Sequence, residues 1–200
     1  MTAFLPRILR RATARLPRRW RALARSRRGV AAVEFAMVLP FLLTLYFGMA
    51  EVSTGVSVDR KLTLLSRSLA DLAGRATDMT DAELEATFGA ASAVMHPYDG
   101  STVKMVISHI KVYNESGSLV GRVCWSETVR GTALARNTVV NPVPDGFRTA
   151  GMTYVQASAQ MTYTPTIGYV VTGSLQLSED TPWPVRNVSE IPRSGTNRCP

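Results

Sequence analysis

Arg27-Arg28-Gly29-Val30-Ala31-Ala32-Val33-Glu34-Phe35-Ala36-Met37-Val38-Leu39-Pro40, with the apolar run that continues to Ala50, decides how this chain is read. A basic, acid-free segment ends at Gly29 and a hydrophobic one begins. The sixteen residues from Phe35 to Ala50 carry no charge, yet one carboxylate, Glu34, stands fifth after the glycine. From Val30 to Ala50 the run is 21 residues, enough to cross a bilayer core at about 1.5 Å per residue. A plain anchor has no use for Glu34, because a carboxylate in hydrocarbon is costly unless neutralised or paired. Pro40 removes one backbone hydrogen bond and predicts a kink or local loosening in the first third of the helix.

Charge is distributed very unevenly around this stretch. The chain's formal net charge is +8, but residues 1–28 hold ten arginines and no acid. The remaining residues hold thirteen Lys/Arg against fifteen Asp/Glu, so that part is slightly acidic. A nucleic-acid reading would rest on the N-terminal arm alone, with no folded recognition element beside it, and is not expected. Positive flanks hold a membrane segment's near end in the cytoplasm. The expected topology is therefore a cytoplasmic N-terminus, one span, and residues from about 52 onward outside. Leu5, Ile8, Leu9, Leu16, Trp20 and Leu23 interrupt the arginines, which is compatible with an amphipathic helix on anionic lipid or with a disordered leader.

Beyond Glu51 the helix need not stop. Val52, Val56, Val58, Leu62, Leu65, Leu69 and Leu72 recur at spacings dominated by three and four, and Gly74 is a suitable terminator. A helix over 30–73 would be roughly 65 Å long, half in the membrane and half emerging with one apolar face. Thr80 followed by Glu83 is a capping-box signature that opens a second helix over 81–94. Strands are expected at 102–113, with an irregularity at Ser108-His109, and at 119–126, 150–164 and 167–178. Residues 127–149 read as loop with a short helical turn. The fold class is α+β: a long N-terminal transmembrane and amphipathic helix, then a small domain with one more helix and an antiparallel, pilin-like sheet of about four strands, read as a meander. The boundaries are 1–29 for the basic leader, 30–50 for the span, 51–74 for its continuation, 75–180 for the exported domain and 181–200 for an irregular tail. Cys124 and Cys199 either form one disulfide in an oxidising compartment or stay as two thiols; spacing leaves both open.

Chemistry is sparse. His96 and His109 are the two histidines, thirteen apart and without metal-ligand spacing, and read as surface or packing residues. Asp78, Asp81, Glu83 and Glu85 gather at a helix start, where acids offset the dipole. No nucleophile elbow, phosphate loop or dinucleotide fingerprint occurs. Neither an enzyme, a cofactor nor a small-molecule substrate is expected.

The basic pair Arg27-Arg28, Gly29, Val30, Glu34 as the fifth residue past the glycine, and an apolar helix containing Pro40 together resemble a class III prepilin leader. The resemblance is to the TadE-like family, minor pseudopilins of the tight-adherence (Tad/Flp) pilus system. Tyr163 and Pro165 also resemble a Tyr-x-Pro feature late in family members. The resemblance is firm over residues 27–55 and loose beyond. It implies recognition of Arg27 and Arg28 in the leader and cleavage between Gly29 and Val30 by an inner-membrane prepilin peptidase. It also implies pairing of Glu34 with a neighbouring subunit's amine, which registers helices during assembly. The implied partners are that peptidase, other pilin and pseudopilin subunits, the Tad inner-membrane assembly platform and the lipid bilayer. The implied setting is the bacterial inner membrane, with a periplasmic domain serving adhesion and biofilm formation. Val30 departs from the aromatic first residue of many pilins. Two alternatives stay open: an uncleaved, signal-anchored envelope protein, and a soluble exported protein. The latter would be released near Glu51 through a twin-arginine-like signal or the Gly48-x-Ala50 site.

Overall fold

The computed structural model describes residues 28–165, 168, 173–196 and 199–200. The arginine-rich leader, Arg27 included, lies outside them. The chain divides into two compact units that meet between Tyr46 and Phe47. Helix α1 (Arg28–Arg75) begins in the first and ends in the second. It is followed by α2 (Asp81–Ala93) and five strands: β1 (Lys104–Glu115), β2 (Ser118–Val129), β3 (Val139–Val140), β4 (Thr153–Tyr163) and β5 (Leu175–Pro184). The α+β class holds.

The apolar part of α1 is exposed along its length, with side chains such as Met37 reaching 76 %. It is long and apolar enough to cross a membrane. Its threonine is satisfied within the helix: Thr44 donates to the Pro40 carbonyl at 2.8 Å, as a hydroxyl in lipid requires. The helical assignment continues through Pro40.

In the second unit, Val58, Leu62, Leu65, Leu69, Ala70 and Ala73 of α1 are buried with Phe88 and Ala91 of α2 against the sheet. The expected apolar stripe is right in its middle and wrong at its ends, because Val52, Val56 and Leu72 are exposed. The helix ends at Arg75 rather than at Gly74. Gly74 answers a different need: a Cβ there would stand 2.7 Å from the Pro184 carbonyl, so the glycine admits the β5 backbone. Thr80 caps α2 as expected, accepting from the Glu83 amide at 3.2 Å.

All strands are antiparallel in the order β3-β2-β1-β4-β5, so the expected four-stranded meander is incorrect. β1 and β2 form a hairpin through Ser116-Gly117, both at positive φ, the combination a two-residue type I′ turn needs. The chain then crosses the end of the sheet and returns on the other side of β1, where Lys104 pairs with Gln160 and Lys111 with Thr153. The crossing is held by a second core, in which Val143 and Phe147 cover Ile110, Val112, Val123 and Tyr154. Both faces of β1 are therefore covered, which explains its broken alternation. A bulge adds to it: His109 lies opposite Trp125 and Ile110 opposite Val123, leaving Cys124 as the extra residue.

The last strand runs over 175–184, not 167–178, and this also corrects the expected irregular tail from 181. Pro182 and Pro184 concealed it. A proline lacks an N–H for the ladder and is tolerated because β5 is an edge strand. The rest of the tail is partly tied down: Arg193, 13 % exposed at its side chain, contacts Asp81 at 2.5 Å and Glu127 at 2.9 Å, and donates to the Met79 carbonyl.

Candidate processing and assembly site

Gly29 and Val30 are helical and exposed, directly after Arg28, the first described residue of α1. Glu34 is one turn further along, about 6 Å in rise from Val30. It is exposed, and among the described residues it makes no hydrogen bond or ion pair. Its neighbours along the helix are apolar and exposed: Val33, Phe35, Met37 and Val38. An ionisable side chain thus stands alone on a helix whose other side chains suit lipid.

The second unit brings together residues that sequence reasoning left apart. Glu51, 5 % exposed at the end of the apolar run, accepts the Gly168 amide at 2.5 Å. Tyr163, last residue of β4, packs across the same turn of α1, with its ring 3.5 Å from where a Cβ on Gly55 would stand. Burial raises the Tyr163 pKa, and the nearby Glu51 carboxylate and Tyr98 add to the effect. Pro165 is buried beside this contact in sequence. Tyr163 and Pro165 are therefore placed where the sheet meets the helix. Nothing in local pattern marked Glu51 as buried, since it reads as the first charge after an apolar run.

Further along α1 the contact is polar and specific. Ser66, fully buried, donates to the Ala157 carbonyl at 3.1 Å and to Thr181 Oγ1 at 2.9 Å. Asp71 accepts from Trp183 Nε1 at 3.0 Å and pairs with Arg75 and Arg186. Burial works to raise the Asp71 pKa, but these hydrogen bonds and cations outweigh it and hold the carboxyl below its ordinary value.

Cys124 and Cys199 are joined in a disulfide across 75 positions. Of the two possibilities open at the sequence level, the bridge is the one observed. Beside it lies His109, 0 % exposed, with Nδ1 3.9 Å from Cys199 Sγ and Nε2 without a partner among the described residues. Burial pushes the His109 pKa down to about 4, opposed by the Glu190 carboxylate and helped by Lys111. His109 was legible only as a packing residue, because the bridge beside it depends on the C-terminal segment folding back.

The molecule is thus an α+β protein with one long N-terminal helix whose apolar part carries a carboxylate near its start. The model of the family described as TadE-like protein matches residues 29–71. Those bounds run from the glycine at the helix start almost to the helix end, and they take in Val30, Glu34 and Pro40. The Tad/Flp system is the context of that family, so the match points to a Tad pilus-associated protein. One N-terminal apolar helix is compatible with a single-pass anchor in such a protein. No curated protein and no solved structure matches the chain.

Proposed function

We propose that the chain is a minor pseudopilin that takes part in assembling a Tad/Flp-type pilus, and that it acts by interaction rather than catalysis. In this reading a prepilin peptidase recognises Arg27 and Arg28 and cuts after Gly29. The mature chain then begins at Val30, with the leader in the cytoplasm and the α+β domain in the periplasm. The observation that carries it is Glu34: a carboxylate on a lipid-suited helix, within one turn of the amine that cleavage would create. An intramembrane acid is stable only with a counter-charge or a proton. A neighbouring subunit's N-terminal amine supplies the former and sets the stagger between helices. The partners are the other pilus subunits and the inner-membrane assembly platform, and the biological output is adhesion and biofilm growth.

N-terminal sequencing of protein extracted from membranes tests this directly. The expected first residue is Val30; a chain beginning at Met1 or near Glu51 would sink the reading. Gly29→Trp is expected to block processing. Glu34→Ala is expected to leave processing intact while pilus assembly falls, and normal piliation in that variant counts against helix registration. An uncleaved envelope anchor has one observation in its favour, the helical state of Gly29 and Val30. It predicts Met1 at the start of the membrane-extracted chain.

A further inference from the structure

We propose that His109, Cys124 and Cys199 form a zinc(II)-binding site in the dithiol form of the chain, and that the disulfide is the closed state of the same site. One ligand atom from each residue lies within 4.8 Å of the other two. A tetrahedral zinc with ordinary bond lengths holds two sulfurs about 3.8 Å apart and a sulfur and a nitrogen about 3.6 Å apart. His109 Nδ1 already stands 3.9 Å from Cys199 Sγ. Against Cys199 the nitrogen is within a few tenths of an ångström of that spacing, while the sulfurs part and Cys124 adjusts once their bond is opened.

Three features beyond proximity support the assignment. First, the imidazole is 0 % exposed, so bulk water does not compete for the Nδ1 that stands beside Cys199 Sγ. Second, the β2 bulge takes Cys124 out of regular register opposite the His109–Ile110 step. Bulges of this kind re-aim a side chain rather than extend a ladder. Third, a cleft of about 420 Å³ reaches Cys124, lined also by Asp81, Glu127, Leu134, Arg136 and Arg193. It provides an entry path and a place for water as the fourth ligand.

Two thiolates and an imidazole match the preference of zinc(II) for borderline-soft ligands over that of magnesium or calcium for oxygen. The steps balance. A dithiol reductant passes two electrons and two protons to the bridge, becoming a disulfide itself and leaving Cys124 and Cys199 as thiols. Zinc binding then releases both thiol protons. Oxidation by a disulfide-exchange partner, after loss of the metal, restores the bridge. The inference is independent of any pilus role.

The test uses the full chain in detergent, stripped of metal, in oxidised form and after reduction with a phosphine. Zinc is titrated against a chromophoric chelator, and cobalt(II) is used as a spectroscopic stand-in. The expected result is one zinc per reduced chain with thiolate-to-cobalt charge-transfer absorption, and none for the oxidised chain. His109→Gln should weaken binding by about tenfold or more, and Cys199→Ser should abolish it. Equal uptake by oxidised and reduced protein, or uptake unchanged by His109→Gln, overturns the proposal. Because reduction itself loosens the domain, melting is followed in parallel. Zinc is expected to raise the melting temperature of the reduced chain, since a ligand held by the folded form stabilises it. No rise would place the metal on unfolded thiols and overturn the site.

Discussion

Cys199→Ser opens a loop that the disulfide closes across 75 positions. In the chain-entropy model a loop of that length restricts the unfolded chain by about 4.5 kcal/mol, so removing the link stabilises the unfolded state by that amount. The folded state offers little compensation, because Cys124 stays buried beside Trp125 with a thiol in place of the bridge. In a domain of roughly 150 residues, each kcal/mol moves the melting temperature by about 2–4 °C, so the variant should melt roughly 9–18 °C lower. Near-ultraviolet circular dichroism is a suitable readout. Trp125 is buried, donates its indole N–H to the Ile191 carbonyl at 2.8 Å, and neighbours the bridge in sequence. A reductant should bring metal-free wild type down to the melting temperature of the variant and leave the variant where it was. If intact mass confirms the bridge in the wild type and the variant melts within about 3 °C of it, the loop argument is refuted.

Gly74→Ala should cost about 1–3 kcal/mol, because its Cβ would stand 2.7 Å from the Pro184 carbonyl and one backbone must retreat; thermal melts check this. Ser66→Ala removes the donor to Ala157 and Thr181 at a fully buried position, and a loss of about 1–3 kcal/mol is expected in denaturant unfolding. A doubly substituted Ser66→Ala/Thr181→Val chain should recover part of that loss, since no hydroxyl is then left unpaired. For the oxidised chain, the His109 pKa is depressed in the fold, from 6.5 to about 4, with Glu190 and Lys111 as the charged groups acting on it. The unfolded chain therefore binds the proton first as pH falls. The neutral-imidazole contribution is complete above about pH 6.5 and is lost progressively down to about pH 4, up to about 3 kcal/mol in all. Melting temperature against pH should show this slope in the wild type and not in His109→Gln.

What was legible in the sequence is what depends on neighbours along the chain. The 21-residue apolar run, the charge step at Gly29, the lone Glu34 and the Thr80 cap are all local, and helix periodicity reports them directly. The α+β class followed in the same way, because alternating apolar residues mark strands whatever they pair with. Strand order did not follow. Periodicity says which face of a strand is apolar and not which strand lies beside it, and a crossing loop such as 130–152 pays only a slowly growing entropic cost for its length. Covering both faces of β1 required Val143 and Phe147 to reach under the sheet, which no local pattern records.

The same division runs through the candidate sites. Gly29, Val30 and Glu34 form a linear pattern, fully present in the sequence because they are near neighbours along one helix. Glu51 with Tyr163 and Gly168, Ser66 with Thr181, and His109 with the Cys124–Cys199 bridge join positions fifteen or more residues apart, most of them about ninety or more. Their meeting is decided by burial: once α1 lies on the sheet, a polar group there must find a partner in three dimensions or remain unsatisfied. The apolar helix carries its pattern in its order of residues, whereas the domain's polar contacts exist only because distant segments are packed together.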